Sequence, residues 1–286
     1  MSAKVRVLVL RTAGTNCNVE TAFAFEQSGA SVDEVHLEKL FSGKVKMADY
    51  HIMALPGGFS YGDDIASGRI FANEMRLRLG RDIEHFIQDK KLIIGICNGF
   101  QILVKAGILP GPFVPDAQDH QAVTLTHNDC GKFESRWTHL KVEGKGVWTE
   151  GLQDVIYVPV AHGEGKFVPL RQDIMAALKA GGQVAFRYVR ADGTPAHGAY
   201  PENPNGAIDD VAGITDATGR ILGLMPHPER HFLFTQHPFW TRLAKSPQGA
   251  KSPKGAKSPK GEKKSRLGDG AKVFENGVNY VKKNLL

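Results

Sequence analysis

Short apolar runs alternate with segments of helical periodicity over the first 107 residues. The apolar runs are KVRVLVL (4–10), VDEVHL (32–37), ADYHIMALPGG (48–58) and KLIIGI (91–96). The helical segments are VETAFAFEQSGA (19–30), EMRLRLGRDIEHFIQDKK (74–91) and NGFQILVKAG (98–107). Strands separated by helices of about 10–15 residues are typical of βαβ units. The sequence therefore predicts an α/β fold built on a mostly parallel sheet with helices on both faces.

The pattern changes to β-rich pieces from about residue 120 to residue 225. We expect these pieces to extend the sheet and to add β-hairpins, with NPNG and DATG as turns. They are AVTLTHN, THLKVE, VIYVPVAHG, QVAFRYV, DDVAGITD and RILGLM. The final segment, AKVFENGVNYVKKNLL, returns to helical spacing. We expect a single domain over residues 1–286, interrupted by an insertion at about 245–266.

That insertion begins with three copies of a six-residue unit, KSPQGA KSPKGA KSPKGE. It has no large aliphatic or aromatic side chain to bury, so we expect it to be disordered and exposed. Residues 245–266 contain eight lysines and arginines against one glutamate, whereas the whole chain has a net charge of only +6. The rest of the chain is nearly neutral, so the charge distribution does not favour a nucleic-acid partner.

The sequence lacks the signals of membrane proteins, secreted proteins, metal sites and nucleotide-binding sites. No apolar stretch approaches the roughly 18 residues that cross a membrane, and the first residues do not resemble a signal peptide, so we expect a cytoplasmic protein. The three cysteines, Cys17, Cys97 and Cys130, have neither disulfide-framework nor metal-ligand spacing. No GxGxxG follows the first strand and no Walker-A motif is present. We expect no metal and no cofactor in this chain.

Cys97 stands in the sequence GICNG, where the fourth predicted strand meets a predicted helix. This G-x-nucleophile-x-G pattern is that of a nucleophile elbow, which exposes a side chain at a sharp strand-to-helix corner. A helix N-terminus also favours a thiolate. On the pattern alone a small buried cysteine is an equally good interpretation.

A nucleophilic thiol needs a base and a group that orients the base. Two H-x-E sequences provide candidates: His162 with Glu164, and His227 with Glu229. Residues i and i+2 of an extended chain project to the same side, so either pair could place a carboxylate beside an imidazole. Prolines flank the second pair and glycines flank the first. Rigidity favours His227 as the base and Glu229 as the group that orients it.

Acyl transfer also needs donors for an oxyanion. The turn PGGFSYGDD (56–64) follows the third predicted strand and can present backbone N–H groups. The N–H of Asn98 lies beside the candidate nucleophile. Because the carboxyl ends of parallel strands meet at one edge of a sheet, both elements should lie near Cys97.

The motifs PGGFSYGDDIASGRIFANE, GICNGFQIL, NDCGKFESRW, PVAHGEGKF, YPENPNG and GLMPHPERH occur in that order. In this order and spacing they resemble the glutaminase subunits of phosphoribosylformylglycinamidine synthase, which are class I, triad-type glutamine amidotransferases. The resemblance extends from the first strand to the final helix and leaves out the KSPxGx insertion. It implies the flavodoxin-like fold of the class I glutamine amidotransferases.

By this resemblance, Cys97 is the nucleophile, His227 is the general base and acid, and Glu229 orients the histidine. The resemblance also assigns oxyanion donors and a substrate contact: the backbone N–H groups of Gly58 and Asn98, and the side chain of Gln101. His162 and Glu164 would line the active site or face a partner subunit.

The resemblance further implies an enzyme that hydrolyses glutamine to glutamate and ammonia through a thioester. A separate synthetase subunit would bind ATP and magnesium and use the ammonia to convert formylglycinamide ribonucleotide to formylglycinamidine ribonucleotide; a further small subunit is also implied. Two alternatives stay open: another cysteine hydrolase of the same architecture, and a non-catalytic regulatory module. The PHPE motif (226–229) argues against the first, and an intact Cys97, His227 and Glu229 against the second.

Overall fold

The computed structural model describes residues 4–115, 121–144, 146–245 and 267–286. The strands are β1 (Arg6–Arg11), β2 (Ser31–His36), β3 (Ile52–Leu55), β4 (Leu92–Ile96), β5 (Val123–Thr126), β6 (Glu134–Val142), β7 (Val155–His162), β8 (Lys166–Pro169), β9 (Val184–Val189), β10 (Val211–Thr215) and β11 (Ile221–Leu224). The helices are α1 (Asn18–Gln27), α2 (Leu37–Phe41), α3 (Arg69–Gln88), α4 (Asn98–Lys105), α5 (Gln172–Ala180), α6 (Trp240–Lys245) and α7 (Ala271–Asn284).

Nine of these strands form one sheet in the order β2-β1-β3-β4-β11-β10-β9-β6-β7. The first five are mutually parallel, and each remaining neighbour is antiparallel. Gly95 of β4 pairs with Leu55 of β3 on one side and with Gly223 of β11 on the other. The carboxyl ends of these three central strands are therefore level, and the loops that follow them share one edge of the sheet.

The central strands are buried along their whole length, as expected for strands covered on both faces. Helix α1 packs against α7, with the Phe25 and Phe274 rings 5.0 Å apart and nearly perpendicular. Helix α3 packs against α4. The chain moves from β1 to β2 in one direction and from β3 to β4 in the other, so right-handed crossovers place these two helix pairs on opposite faces. The predicted fold class is confirmed.

The boundaries of some elements differ from the sequence prediction. The segment 48–58 is predicted as a third strand that runs into a glycine turn; the strand covers Ile52–Leu55 and begins later than predicted, because residues 47–49 form a 3₁₀ turn. The sequence did not indicate α2, α5, α6 or the short strand β8, which pairs with β5 in a separate two-stranded sheet.

The predicted insertion lies, apart from residue 245, outside the described residues, and the single-domain organisation stays a prediction. Among the helices that the structure describes, none is long and apolar enough to cross a membrane.

Candidate active site

Cys97 occupies the corner between β4 and α4 with φ 53° and ψ −108°. A non-glycine residue rarely adopts a positive φ, and such strain is typical of nucleophile elbows. The flanking glycines make the corner possible. A Cβ on Gly99 would lie 1.9 Å from the carbonyl oxygen of Leu55, and a Cβ on Gly95 would lie 2.5 Å from the carbonyl oxygen of Gly99. The two glycines therefore let α4 approach the sheet closely enough to hold the thiol at its edge.

The loops after β1, β3, β4 and β11 converge on Gly57. A Cβ built on this glycine would lie 2.8 Å from Cε1 of His227, 3.0 Å from Sγ of Cys17 and 3.3 Å from Cβ of Cys97. Any side chain at position 57 would fill the space between the imidazole and the two thiols. Four strand ends thus bring the candidate nucleophile and the candidate base to one small volume.

His227 is paired with Glu229. The backbone N–H of His227 donates to the carbonyl of Pro159, and a 3₁₀ turn over Pro228–His231 brings Glu229 back beside the ring. His227 Nδ1 lies 2.5 Å from Glu229 Oε1, and the two side chains are 1% and 0% exposed. Burial by itself lowers the pKa of His227, but the charges of Glu229 and Cys97 outweigh it and raise this pKa well above its ordinary value.

His162, the other candidate base, has amide partners in place of a carboxylate. Its Nδ1 lies 3.1 Å from Oδ1 of Asn128, and its Nε2 lies 3.4 Å from Nδ2 of Asn205. Burial and the charge of His227 lower the pKa of His162 to about 3, so its ring is neutral at physiological pH. His162 therefore holds the loop after β7 in place and has no acidic partner to make it a base.

The side chain of Asn98 ties α4 to the turn that follows β3. Its Oδ1 accepts from the N–H of Ser60, and its Nδ2 donates to Asp63 and to Oε1 of Gln101. Gln101 then donates through Nε2 to the carbonyl of Glu164 at 2.7 Å. These bonds connect the three segments around Cys97.

The two predicted oxyanion donors lie next to the thiol. Asn98 is the first residue of α4, so its N–H has no acceptor within the helix. Gly58 has φ +145°, and a Cβ there would approach Gly14 O and Asn16 N to 2.7 Å. Only glycine fits that backbone at that position.

A cavity of about 270 Å³ opens beside Cys97. Its wall includes Gly58, Gln101, Glu164, Asp63 and Lys132. Burial raises the pKa of Asp63. The carboxylate of Glu164 lies 3.9 Å from the buried ammonium of Lys105, whose pKa is lowered by burial. The cavity is therefore lined by charged side chains as well as by the thiol.

Cys17 is the site residue that sequence reasoning missed. No candidate base lies near it in the sequence, yet it belongs to a buried group with His227 and Glu229 in which one ligand atom of each residue lies within 4.8 Å of the others. These three residues could hold a metal ion by distance, but His227 and Glu229 already bond to each other. Arg230 Nη2 donates to Cys17 Sγ at 3.0 Å. The only sequence signal for Cys17 was its place in the loop after β1. Cys130 is exposed.

Comparison with known proteins identifies the family. Residues 4–281 match the family model described as a CobB/CobQ-like glutamine amidotransferase domain. A phosphoribosylformylglycinamidine synthase subunit PurQ from Dehalococcoides mccartyi is 44% identical over 283 residues, which cover 98% of this chain and 99% of that protein. The subunit of the same name from Methanococcus maripaludis is 47% identical over 234 residues, 82% of this chain and 85% of that protein.

The chain belongs to the PurQ family. A solved structure of PurLQS from Thermotoga maritima agrees, with a TM-score of 0.69 and 29% identity over 98% of this chain and 100% of that one. A glutamine amidotransferase from the same organism, 16% identical with a TM-score of 0.51, shares the fold. Membership of the PurQ family confirms the predicted family, fold class and enzyme class: the chain is a glutamine amidotransferase.

Proposed function

We propose that this PurQ-family chain acts as the glutaminase subunit of phosphoribosylformylglycinamidine synthase, with Cys97, His227 and Glu229 as its catalytic residues. One observation carries this assignment of roles. Cys97, whose backbone has a positive φ at the elbow, and the buried His227–Glu229 pair lie on either side of Gly57, where the absence of a side chain leaves room between them. That is the nucleophile, base and orienting group that acyl transfer requires.

The first half of the reaction forms a thioester. The thiol proton of Cys97 passes to His227 Nε2, Sγ attacks the side-chain carboxamide carbon of glutamine, and the carbonyl oxygen becomes an oxyanion held by the N–H groups of Gly58 and Asn98. The carbon–nitrogen bond then breaks as His227 Nε2 gives its proton to the departing nitrogen. Glu229 keeps the other ring nitrogen in place and stabilises the charged ring.

The second half releases glutamate. A water molecule gives a proton to His227 Nε2 and attacks the thioester carbon, and the bond to Sγ breaks. The sum is glutamine plus water giving glutamate plus ammonia. The cavity beside Cys97 supports glutamine as the substrate, because it offers Gln101 and the charged groups of Glu164 and Lys132 to a polar amino acid.

The ammonia is used by a synthetase subunit that converts formylglycinamide ribonucleotide to formylglycinamidine ribonucleotide. The relatives are named as subunits of that synthase, and PurLQS names an assembly of more than one component. ATP and magnesium belong on the synthetase, because this chain has no phosphate-binding motif. A further small subunit completes the assembly, and nucleic acid and membranes are not partners. We place the reaction in the cytoplasm, where ATP and nucleotide precursors are available.

Glutamate release from glutamine tests this function. The chain is assayed alone and with its synthetase subunit, as wild type, Cys97→Ala and Cys130→Ala. We expect Cys97→Ala to lose glutamate release by a factor of about 10³ or more, and the exposed-cysteine control to keep it. Glutamate release that survives in Cys97→Ala would contradict the assignment. Release that increases on adding the synthetase supports the partnership.

A further inference from the structure

Two adjoining cavities border Cys97. The larger, of about 270 Å³, is the one that reaches Gln101 and Glu164. The smaller, of about 70 Å³, lies on the His227 side of the thiol and is also lined by Cys17 and Arg230. Gly58, Phe59, Cys97, Phe133 and Ala161 border both. The thiol therefore faces two spaces of different size and different chemistry.

The smaller space fits molecules the size of water or ammonia. Water occupies about 30 Å³ in the liquid, so about two such molecules fill it, whereas glutamine cannot enter. Once glutamine is bound through its side chain to Cys97, the amino acid occupies the larger cavity. A hydrolytic water must then reach the thioester from another side, and the smaller cavity provides one.

His227 presents a proton-transfer atom to this space. Its Nδ1 is engaged by Glu229, while its Nε2 is buried, makes no well-aligned hydrogen bond among the described residues, and lies near the thiols of Cys97 and Cys17. A buried ring nitrogen without a partner is costly unless a ligand or water supplies one. The smaller cavity, which His227 lines, can hold that missing partner.

Cys17 and Arg230 also line the smaller cavity and determine its polarity. The thiol of Cys17 donates to Oδ1 of Asn16 and accepts from Nη2 of Arg230. Burial raises the pKa of Cys17, so it is a neutral thiol and does not compete as a nucleophile. The guanidinium of Arg230, which also bonds to Glu20, adds a fixed positive charge. That charge disfavours ammonium and leaves neutral ammonia as the better occupant.

We propose that this smaller cavity is the chamber that receives ammonia from the thioester-forming step and then admits the hydrolytic water, with Cys17 and Arg230 as its positioning residues. The proposal depends on the proposed roles of Cys97 and His227. Ammonia enters the chamber because the proton that releases it comes from His227 Nε2. It leaves between Phe59 and Phe133, which border the cavity and are 45% and 52% exposed. Water then takes its place and gives a proton back to Nε2.

Filling the chamber without touching the glutamine cavity tests the proposal. The complex with the synthetase subunit is assayed as wild type, Cys17→Leu, Cys17→Ser and, as a matched control, Cys130→Leu at the exposed cysteine. We expect Cys17→Leu to lower kcat for glutamine by about tenfold or more with the KM within about twofold, because the glutamine cavity is unchanged. Intact-mass analysis should show the glutamyl adduct accumulating on Cys97. Cys17→Ser should restore most of the rate, and Cys130→Leu should match wild type.

Variants at Arg230 provide a second test, and its result does not depend on how well the protein accommodates a leucine at position 17. In Arg230→Gln we expect the ratio of formylglycinamidine ribonucleotide formed to glutamate released to fall at least about twofold, because more ammonia is lost as ammonium, and Arg230→Lys should restore it. Unchanged kcat in Cys17→Leu together with an unchanged ratio in Arg230→Gln overturns the chamber. A rise in KM that accounts for the whole loss in Cys17→Leu also overturns it, since the space would then hold glutamine. If the wild-type protein forms no adduct on Cys97, and Cys97→Ala keeps the glutamine-dependent activity, the proposed function itself fails.

Discussion

At the scale of single residues, the protonation state of His227 results from two opposing effects. Burial lowers its pKa, and the Glu229 carboxylate at 2.5 Å is the leading effect that raises it. The raised pKa keeps the ring charged over a wider pH range, so a proton is available on Nε2 when ammonia leaves.

Glu229→Gln should lower the pKa of His227, because the opposing charge is removed while the burial remains. Proton NMR titration of histidine-labelled protein would show the shift, with His227 identified by its loss in His227→Gln. Glutamine-dependent turnover should fall by about a hundredfold or more. An unchanged His227 titration in Glu229→Gln would mean that the carboxylate does not control the ring.

Because His162 is buried and neutral, we predict that the folded protein loses stability at mildly acidic pH. An unfolded histidine gains a proton below about pH 6.5, whereas the buried ring stays neutral down to about pH 3. The unfolded state therefore binds more protons within this window, and the free energy of unfolding falls as the pH falls. The loss from this group is about 2 kcal/mol at pH 5.

Urea unfolding of His162→Gln at pH 7 and pH 5 measures this contribution. The variant should lose about 2 kcal/mol less between the two pH values than wild type does. His85→Gln, the same change at an exposed histidine on α3, is the matched control. Equal pH dependence in His162→Gln and wild type would show that this ring does not stay neutral.

At the scale of elements, the close contact between α4 and β3 depends on the absence of a side chain at position 99. Gly99→Ala places a Cβ 1.9 Å from a backbone carbonyl that cannot move without shifting β3. We expect a loss of about 3 kcal/mol or more in the free energy of unfolding, together with loss of glutaminase activity. The control is Gly181→Ala, where a Cβ would meet its nearest atom at 3.2 Å and the residue ends α5 in a right-handed helical conformation. Comparable stability of the two variants would contradict the packing argument.

The elements also show how far the sequence could predict this site. The apolar runs locate the parallel strands because those strands are buried on both faces, and GICNG marks the elbow because only glycines permit it. The position of β11 beside β4, and of β9 between β10 and β6, depends on pairings between distant segments, which no local pattern contains. The proximity of Cys17 to His227 escaped prediction for the same reason, since 209 residues of chain lie between them.

At the scale of the whole molecule, the lysine-rich insertion falls in the sequence between α6 and α7. Leu267, the first described residue after it, forms a β-bridge with Leu233, which precedes α6 in the chain. The entropic cost of closing a loop changes slowly with its length. Deletion of residues 246–264 should therefore leave glutamine-dependent activity of the complex within about twofold of wild type.

A replacement of the same residues by a glycine-serine linker of equal length is the matched control for that deletion. It separates the effect of length from that of charge. DNA binding at low salt, measured for all three proteins, should be equally weak. Activity lost in both variants, or DNA binding lost with the lysines, would assign the insertion a specific role.

We propose that Cys97 generates ammonia for the synthetase subunit, and we expect that subunit to use ammonia from solution as well. Formation of formylglycinamidine ribonucleotide by the reconstituted complex, with either glutamine or an ammonium salt as the nitrogen source, tests it directly. Cys97→Ala should lose the glutamine-dependent reaction and keep the ammonium-dependent one. Glutamine-dependent synthesis that continues in Cys97→Ala would contradict the account.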